Sequence, residues 1–433
     1  MDEEVEVICH QCVNEKYLSS LIKRTGKSFE CLFCSKRRKA IRVEDLVGLV
    51  DDVLQQNYVP GLVFDQYDDN GKRFETEQTG DPLIFHVAEL LGLNEDDEVA
   101  LRVCGDLTEC SQYDYMQGGE AKYSDQGNYT WRNFRPVEAE ARWQKFQAEM
   151  KHGNRFFGKH AKEFLGWLFQ GISSFRIPER SVSVIRELSD VEVYRARRCD
   201  TASAYDAIIE NPAAELGPPP KELAGAGRMN PQGLAAFYGA FDRKTCVAEL
   251  RPPVGGRVVS GRFRLTRSVR VLDFIALDKA YEASPLSQFD PSYAEQMGRR
   301  IFLETLHSKI TTPVLPNQEH EYLATQVMAE YLATQIDPPL DGVLFASAQV
   351  RKGTNLTLFN HAVVVPVEPS TTMVNIDDLD DSPQPSTPAI EYVADSMVRH
   401  QVRRVRFITD DLAREDGQPE SQDYEDDWDE YLR

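Results

Sequence analysis

The sequence predicts an α+β protein in three parts: a small metal-held ribbon, a mainly helical block, and a mixed α/β domain. Three observations carry this. Cys9 and Cys12, then Cys31 and Cys34, form two CxxC pairs at the separation of a four-thiolate site. Apolar residues recur at helical spacing from about 41 to 175. From 191 to 365, period-two stretches alternate with helical ones, followed by a polar end. The expected boundaries are 1–42 for the ribbon, 43–180 for the helical domain, 181–368 for the α/β domain and 369–433 for a flexible acidic tail.

At 433 residues the chain is long enough for two or three domains. Its formal charge of -21 opposes binding to nucleic acid and to anionic membranes. An anionic small molecule would need a local arginine cluster. The first ten residues, MDEEVEVICH, are acidic and lack an apolar signal core. No apolar run approaches the roughly 18 residues that span a bilayer, so a soluble, cytoplasmic protein is expected. In that compartment eight cysteines do not imply disulfides. Cys104, Cys110, Cys199 and Cys246 are scattered and read as small buried hydrophobes.

In the ribbon, each CxxC turn aims two thiolates at one point, and two turns complete a tetrahedron around a structural Zn. His10 is left outside the ligand set. Lys23, Arg24, Lys27, Lys36, Arg37, Arg38 and Lys39 read as the solvated surface of the ribbon, against contact with an anion or nucleic acid. In the helical block, Val43, Leu46, Val47, Val50, Val53 and Leu54 share one helix face. A second helix is expected after Asp81-Pro82, with Ile84, Phe85, Ala88, Leu90 and Leu91 as its apolar face. Residues 105–135 are polar and turn-rich and read as a long loop; 137–151 is helical and 164–169 strongly apolar. Arg155 and His160 have the spacing of the Arg–His pair of HEPN ribonucleases, against the simpler reading of a helix-surface arginine and histidine.

In the α/β part, 191–197 alternates as a half-buried strand does, and 257–274 reads as two strands around a turn at Thr266, Arg267 and Ser268. Helices are expected at 293–305 and 319–336, and strands at 343–347, 355–359 and 362–365. Residues 377–388 read as a linker, 402–407 as an added strand, and the run from 410 as disordered.

One stretch stands apart. Residues 222–250 open with Ala224, Gly225, Ala226 and Gly227, which let backbone come close to another group. Arg228 follows, then a turn-like Asn230 to Gly233, an apolar run, and Glu249 between Ala248 and Leu250. Charges in apolar frames are rarely left unpaired. An internal Arg228–Glu249 ion pair and a functional site both satisfy that rule.

The order of motifs resembles the RES family, named for an arginine, a glutamate and a serine. The resemblance rests on Tyr194-Arg195, Gly227-Arg228-Met229-Asn230-Pro231 with Gly233, Phe237-Tyr238, Glu249, Tyr322, Thr325-Gln326, Asp341-Gly342, Ser347 and Asn355-Leu356. It covers somewhat under half of the chain. The family usually has tryptophan where this chain has Met229. The ribbon and helical block are similar to the HEPN-like module fused to some RES domains.

The resemblance implies a mixed α/β fold like that of ADP-ribosyltransferases, and a bacterial toxin or defence effector that destroys NAD. NAD is then the substrate, cleaved at the nicotinamide–ribose bond by a glycohydrolase or a phosphorylase. It implies Glu249 as the catalytic carboxylate, with Arg228 and Ser347 as partners in catalysis, and Arg195, Tyr238 and Asn230 as substrate-binding residues. A small antitoxin is the partner it implies. No Gly-x-Gly-x-x-Gly follows a strand, so NAD would not be held in the Rossmann manner. ADP-ribosyl transfer to a macromolecule, and an inactive RES-like binding module, remain the competing readings.

Overall fold

The computed structural model describes residues 5–67, 73–116, 122–124, 126–132, 136–153, 159–177, 182–282, 286–312, 319–363 and 388–405. Its first unit grows from the cysteine turns. Strands β1 (Val7–Cys9), β2 (Lys27–Glu30) and β3 (Arg37–Arg42) form a small sheet with β3 central, and helix α1 (Lys16–Thr25) lies between β1 and β2 in sequence. Helix α2 (Val43–Asn57) follows β3 without a loop and runs into strand β4 (Tyr58–Pro60). A hairpin, β5 (Val63–Tyr67) and β6 (Arg73–Gln78), leads to β7 (Asp81–Pro82), α3 (Leu83–Leu91), α4 (Glu98–Met116) and β8 (Asn128–Trp131). Helix α3 stops at Gly92, whose φ of 68° is a left-handed cap that glycine adopts without strain.

The expected boundary at residue 42 is not a break in packing. Ile8, Val13, Leu18 and Ile22 of the ribbon share one core with Val43, Leu46, Val50 and Leu54 of α2 and Leu83, Val87 and Leu91 of α3. Two details of this region differ from expectation. The buried face of α3 is Leu83, His86, Val87, Ala88, Leu90 and Leu91, while Phe85 is exposed. His86 bonds the Tyr129 carbonyl through Nε2 at 2.8 Å, while its buried Nδ1 has no partner among the described residues. The stretch read as a long loop, 105–135, contains most of α4 and all of β8. Its polar residues had hidden a helix whose apolar face is narrow: Val99, Ala100, Val103 and Leu107.

Helices α5 (Val137–His152) and α6 (Lys159–Leu168) come next, then β9 (Phe175–Ile177) and β10 (Val182–Ser183), which form a small sheet with β16 (Tyr281–Glu282). The main sheet contains β11 (Ile185–Leu188), β12 (Glu192–Arg198), β13 (Phe237–Ala240), β14 (Arg257–Leu265), β15 (Val269–Asp273), β17 (Gly342–Ala346), β18 (Thr354–Leu358), β19 (Ile390–Tyr392) and β20 (Val398–Gln401). Its order is β11-β15-β17-β18-β13-β12-β14, with β19 and β20 both on the outer edge of β14. Every described pairing is antiparallel except β15 with β17.

The sheet is covered on both sides, as a mixed α/β sheet must be. One face packs on α7 (Ala202–Glu210), α8 (Pro212–Leu216) and α13 (Asn360–Val363) through Ile208, Leu216 and Ala362. The other packs on α10 (Phe274–Leu277), α11 (Tyr293–Thr311) and α12 (Leu323–Thr334), and also on α5 and α6. Trp143 and Phe302 lie 5.9 Å apart between ring centroids, and Phe146 stacks on Phe164 at 5.2 Å. The expected boundary at 180 therefore cuts through a core. Lys309–Glu140 at 2.9 Å, Lys151–Glu321 at 2.6 Å and Arg142–Glu295 at 3.1 Å tie the same elements at the surface.

The end of the chain also differs. The expected strand at 362–365 begins as the short helix α13, and residues 364–365 lie outside the described residues. The added strand is β20, four residues before the expected 402–407. Residues 390–401 thus return to the sheet rather than belonging to one acidic tail. Residues 364–387 and 406–433, with the expected linker and acidic run, lie outside the described residues.

The shared core predicts the behaviour of fragments. A chain beginning at residue 181 lacks Trp143, Phe146, Phe164 and Leu165 and exposes their partners. It is expected to bind a hydrophobic dye and to show no cooperative urea transition, while a chain beginning at residue 132 keeps one. A cooperative 181–433 fragment with the midpoint of the full chain would overturn this.

Candidate active site and metal centre

The main-sheet site is assembled where β12, β13 and β18 lie side by side. Pairing sets Tyr194 opposite Ala240, and Ala240 opposite Asn355. Helix α9 (Arg243–Glu249) starts at Asp242, which accepts from the Thr245 amide at 2.8 Å as an N-cap, and ends on Glu249. A cleft of about 500 Å³ opens here, walled by Arg195, Arg228, Tyr238, Glu249, Tyr322 and Asn355. Four of the six residues singled out from sequence therefore meet in one cavity.

The loop from Gly225 to Leu234 is held by its own side chains and by α12. Asn230 is buried and donates through Nδ2 to the Gly225 and Leu234 carbonyls at 2.9 and 2.8 Å. The Tyr238 hydroxyl donates to Asn230 Oδ1 at 2.6 Å and accepts from the Met229 amide at 2.9 Å. A Cβ on Gly227 would meet Asn230 Oδ1 and the Tyr238 hydroxyl at 2.6 Å each, so glycine is required by this close approach. From α12, Thr325 Oγ1 donates to the Arg228 carbonyl at 2.5 Å and Gln326 Nε2 to the Gly227 carbonyl at 2.8 Å. Asn230, expected to bind substrate, instead spends its amide inside the loop. Burial pushes the Tyr238 phenol up to about 12, with the Met229 amide pulling the other way.

The Arg228–Glu249 ion pair is not formed. Arg228 donates to the carbonyls of Ile310 and, at 3.0 Å, Thr312, and so caps the C-terminal end of α11, where a cation is favoured. Its guanidinium lies 5.2 Å from the Tyr322 ring centroid. Burial holds its pKa below the ordinary arginine value. Glu249 Oε1 accepts from Ser347 Oγ at 2.5 Å and Asn355 Nδ2 at 3.0 Å, two neutral donors. Ser347 in turn accepts from the amides of Gln349 and Val350, each at 3.1 Å. Ser347, expected as a catalytic partner, thus orients the carboxylate. Asn355 was quoted only as part of the motif, and Thr325 and Gln326 likewise; their roles depend on the distant groups they reach, the Glu249 carboxylate for Asn355 and the loop carbonyls for the other two.

Arg195 is the electrostatic anomaly. Its Nη1 is buried with no partner among the described residues, and its guanidinium lies 5.3 Å from the Phe237 ring centroid. Burial, then repulsion from Arg197, lowers its pKa to about 10. Because the folded value lies below the unfolded one, its charge costs stability at neutral pH. That cost is relieved only as pH climbs above about 10. A bound anion would relieve it directly.

A second cleft, about 610 Å³, lies in the N-terminal unit beside Arg42 and Arg102. Its charges are already matched: Arg102 with Glu6 and Asp106, Arg42 with Glu44 and Asp45. Arg155 lies outside the described residues; His160 is exposed and sits 3.6 Å from Glu163 on its own helix. Of the scattered cysteines, Cys199 and Cys246 are buried as expected, while Cys104 is half-buried and Cys110 exposed.

The four ribbon cysteines converge. Their sulfurs all lie within 4.8 Å of one another, and Cys9–Cys12, Cys9–Cys34 and Cys12–Cys31 are each 3.7 Å apart. A tetrahedron with Zn–S bonds of about 2.3 Å has sulfurs about 3.8 Å apart, so the donor set fits that ion.

A covered mixed sheet with a cleft walled by arginines and one carboxylate defines the class: an α+β domain. Residues 192–378 match the RES domain; they include β12 to β18 and the residues that wall the cleft, while β11, β19 and β20 lie outside the match. The ribbon and α1–α6 precede the matched residues. No curated protein and no solved structure matches the chain. No helix among the described residues is long and apolar enough to cross a membrane.

Neutral donors around Glu249 lead to a stability prediction. Glu249→Gln keeps an acceptor oxygen for Ser347 and Asn355, so its unfolding free energy should stay within about 1.5 kcal/mol of the parent. A loss of several kcal/mol in urea titration would restore the ion-pair account.

Proposed function

We propose that this cleft binds NAD and cleaves its nicotinamide–ribose bond. The observation that carries the reading is a lone carboxylate, Glu249, fixed by Ser347 and Asn355 in a cleft that also holds Arg195 and Arg228. Nicotinamide leaves as a neutral ring and takes the bonding electrons, so positive charge develops on the ribose. A carboxylate beside that carbon stabilises the oxocarbenium-like state, as in glycoside hydrolysis. Water then adds, giving ADP-ribose and a proton; phosphate in its place gives a sugar phosphate. Arg195 and Arg228 offer cationic forks to the diphosphate. Tyr238 and Tyr322 supply aromatic walls, and Ser347 keeps the carboxylate aimed.

On this reading the chain is a toxin or defence effector, and unrestrained NAD loss calls for a restraining partner such as an antitoxin over the cleft. The ribbon holds one structural zinc through Cys9, Cys12, Cys31 and Cys34, and this metal binding contributes folding free energy. Because Ile8 and Leu18 join the core of α2 and α3, losing the metal would loosen that whole unit.

Incubating the purified protein with NAD, with and without phosphate, should release nicotinamide and identify the acceptor. Glu249→Gln should lower kcat about 10²–10³-fold, because its charge acts on the transition state. Arg195→Ala should mainly raise KM. Normal turnover in Glu249→Gln would end the proposal. Elemental analysis of reduced protein should find about one zinc per chain, lost in Cys31→Ser; metal-free protein would refute the zinc assignment.

A further inference from the structure

Arg251 stands two residues beyond Glu249 and lines the same cleft, yet no motif includes it. Its backbone is in the left-handed region, with φ of 45°. Of the five non-glycine residues with such a φ among the described residues, Arg251 alone lines this cavity. The conformation is costly for any residue with a Cβ, of order 1–3 kcal/mol in general. It is doubly disfavoured here because Pro252 follows, and a residue before proline prefers extended backbone. The turn itself needs only the reversal: the Arg251 amide donates to the Ala248 carbonyl at 2.9 Å and ends α9. Glycine would do that without strain.

The side chain explains why an arginine is there. With the Gln349 amide turned to present its oxygen, Arg251 Nε and Nη2 each lie 3.2 Å from it. Gln349 is in the same turn as Ser347, whose hydroxyl binds Glu249. Arg251 therefore bridges the end of α9 to the loop that aims the carboxylate. It also repels Arg228 across the cleft, and that repulsion helps hold Arg228 below its ordinary pKa, behind the larger effect of burial. Arg195 brings a third cation with a buried, unpartnered Nη1. Like charges gathered around a cavity are a standing demand for an anion between them.

We infer that Arg251 is a specificity-determining residue that completes a three-arginine clamp for a diphosphate, and that its strained backbone is kept for this purpose. The ligand class is a diphosphate ester. The inference deepens the NAD reading and rests on it for the identity of that ester, but the clamp itself is tested separately. Nicotinamide, which carries no phosphate, should be indifferent to it.

The experiment compares the full-length protein with Arg251→Gly and Arg251→Ala, using inorganic pyrophosphate, ADP-ribose, NAD and nicotinamide as probes in calorimetric titration, with thermal melts of each protein. Both variants should weaken pyrophosphate and ADP-ribose by about tenfold or more, the size of a lost charge-assisted bond. Nicotinamide affinity should be unchanged. Arg251→Gly should melt above Arg251→Ala, since only glycine relieves the strain. ADP-ribose binding within twofold of the parent in both variants would overturn the clamp. So would equal loss of nicotinamide, or a glycine variant that melts below the alanine one. Should the parent bind pyrophosphate in an Arg251-dependent way but neither NAD nor ADP-ribose, the clamp stands and the NAD reading falls. Binding of none of the four probes would defeat both.

Discussion

The loop that carries Gly227 and Arg228 is fixed by side chains it does not own. Thr325 and Gln326 of α12 donate to its two carbonyls, and those bonds set where Arg228 can reach. The position of α12 depends in turn on α5 and α6, whose aromatic residues share its core. A helix pair that precedes the RES domain in sequence therefore supports the wall of its cleft. This arrangement gives the N-terminal region a mechanical part in the site without contributing a catalytic group.

The charge economy of the molecule is lopsided. The chain carries a formal charge of -21, yet the cleft collects arginines and one carboxylate. Burying Arg195 without a carboxylate costs free energy in the empty protein. Glu249 faces the opposite problem, and the protein solves it with Ser347 and Asn355, which hold the carboxylate without neutralising it. An arginine in that place would have neutralised the carboxylate.

Much of this was legible in the chain. The cysteine pairs were readable because local spacing alone brings four sulfurs together. Arg195, Arg228, Tyr238 and Glu249 were found by their order, and the structure gathers them. What sequence could not assign was direction. Asn230 looks like a polar residue poised for a ligand, but its amide turns inward because three backbone groups of its own loop need it. Ser347 points to Glu249 rather than to the cavity for the same kind of reason. Helix α4 was missed because its apolar stripe is only one residue wide in places. The core shared across residue 180 was not legible because aromatic residues on α5 and α6 announce burial but not the partner that buries them.

The late return of β19 and β20 to the edge of β14 has a consequence during synthesis. Strand β14 ends at Leu265, and its last partner ends at Gln401. At about 5–20 residues per second, roughly seven to twenty-seven seconds pass before the ribosome has made the strands that cover that edge. For that interval β14 offers open hydrogen-bonding groups to any neighbouring nascent chain. Arg257, Arg262 and Arg264 are spaced along it, and charges on an edge discourage such pairing. Once the chain is complete, Arg264 finds Glu391 on the arriving strand, so a charge that guarded the open edge becomes part of its closure.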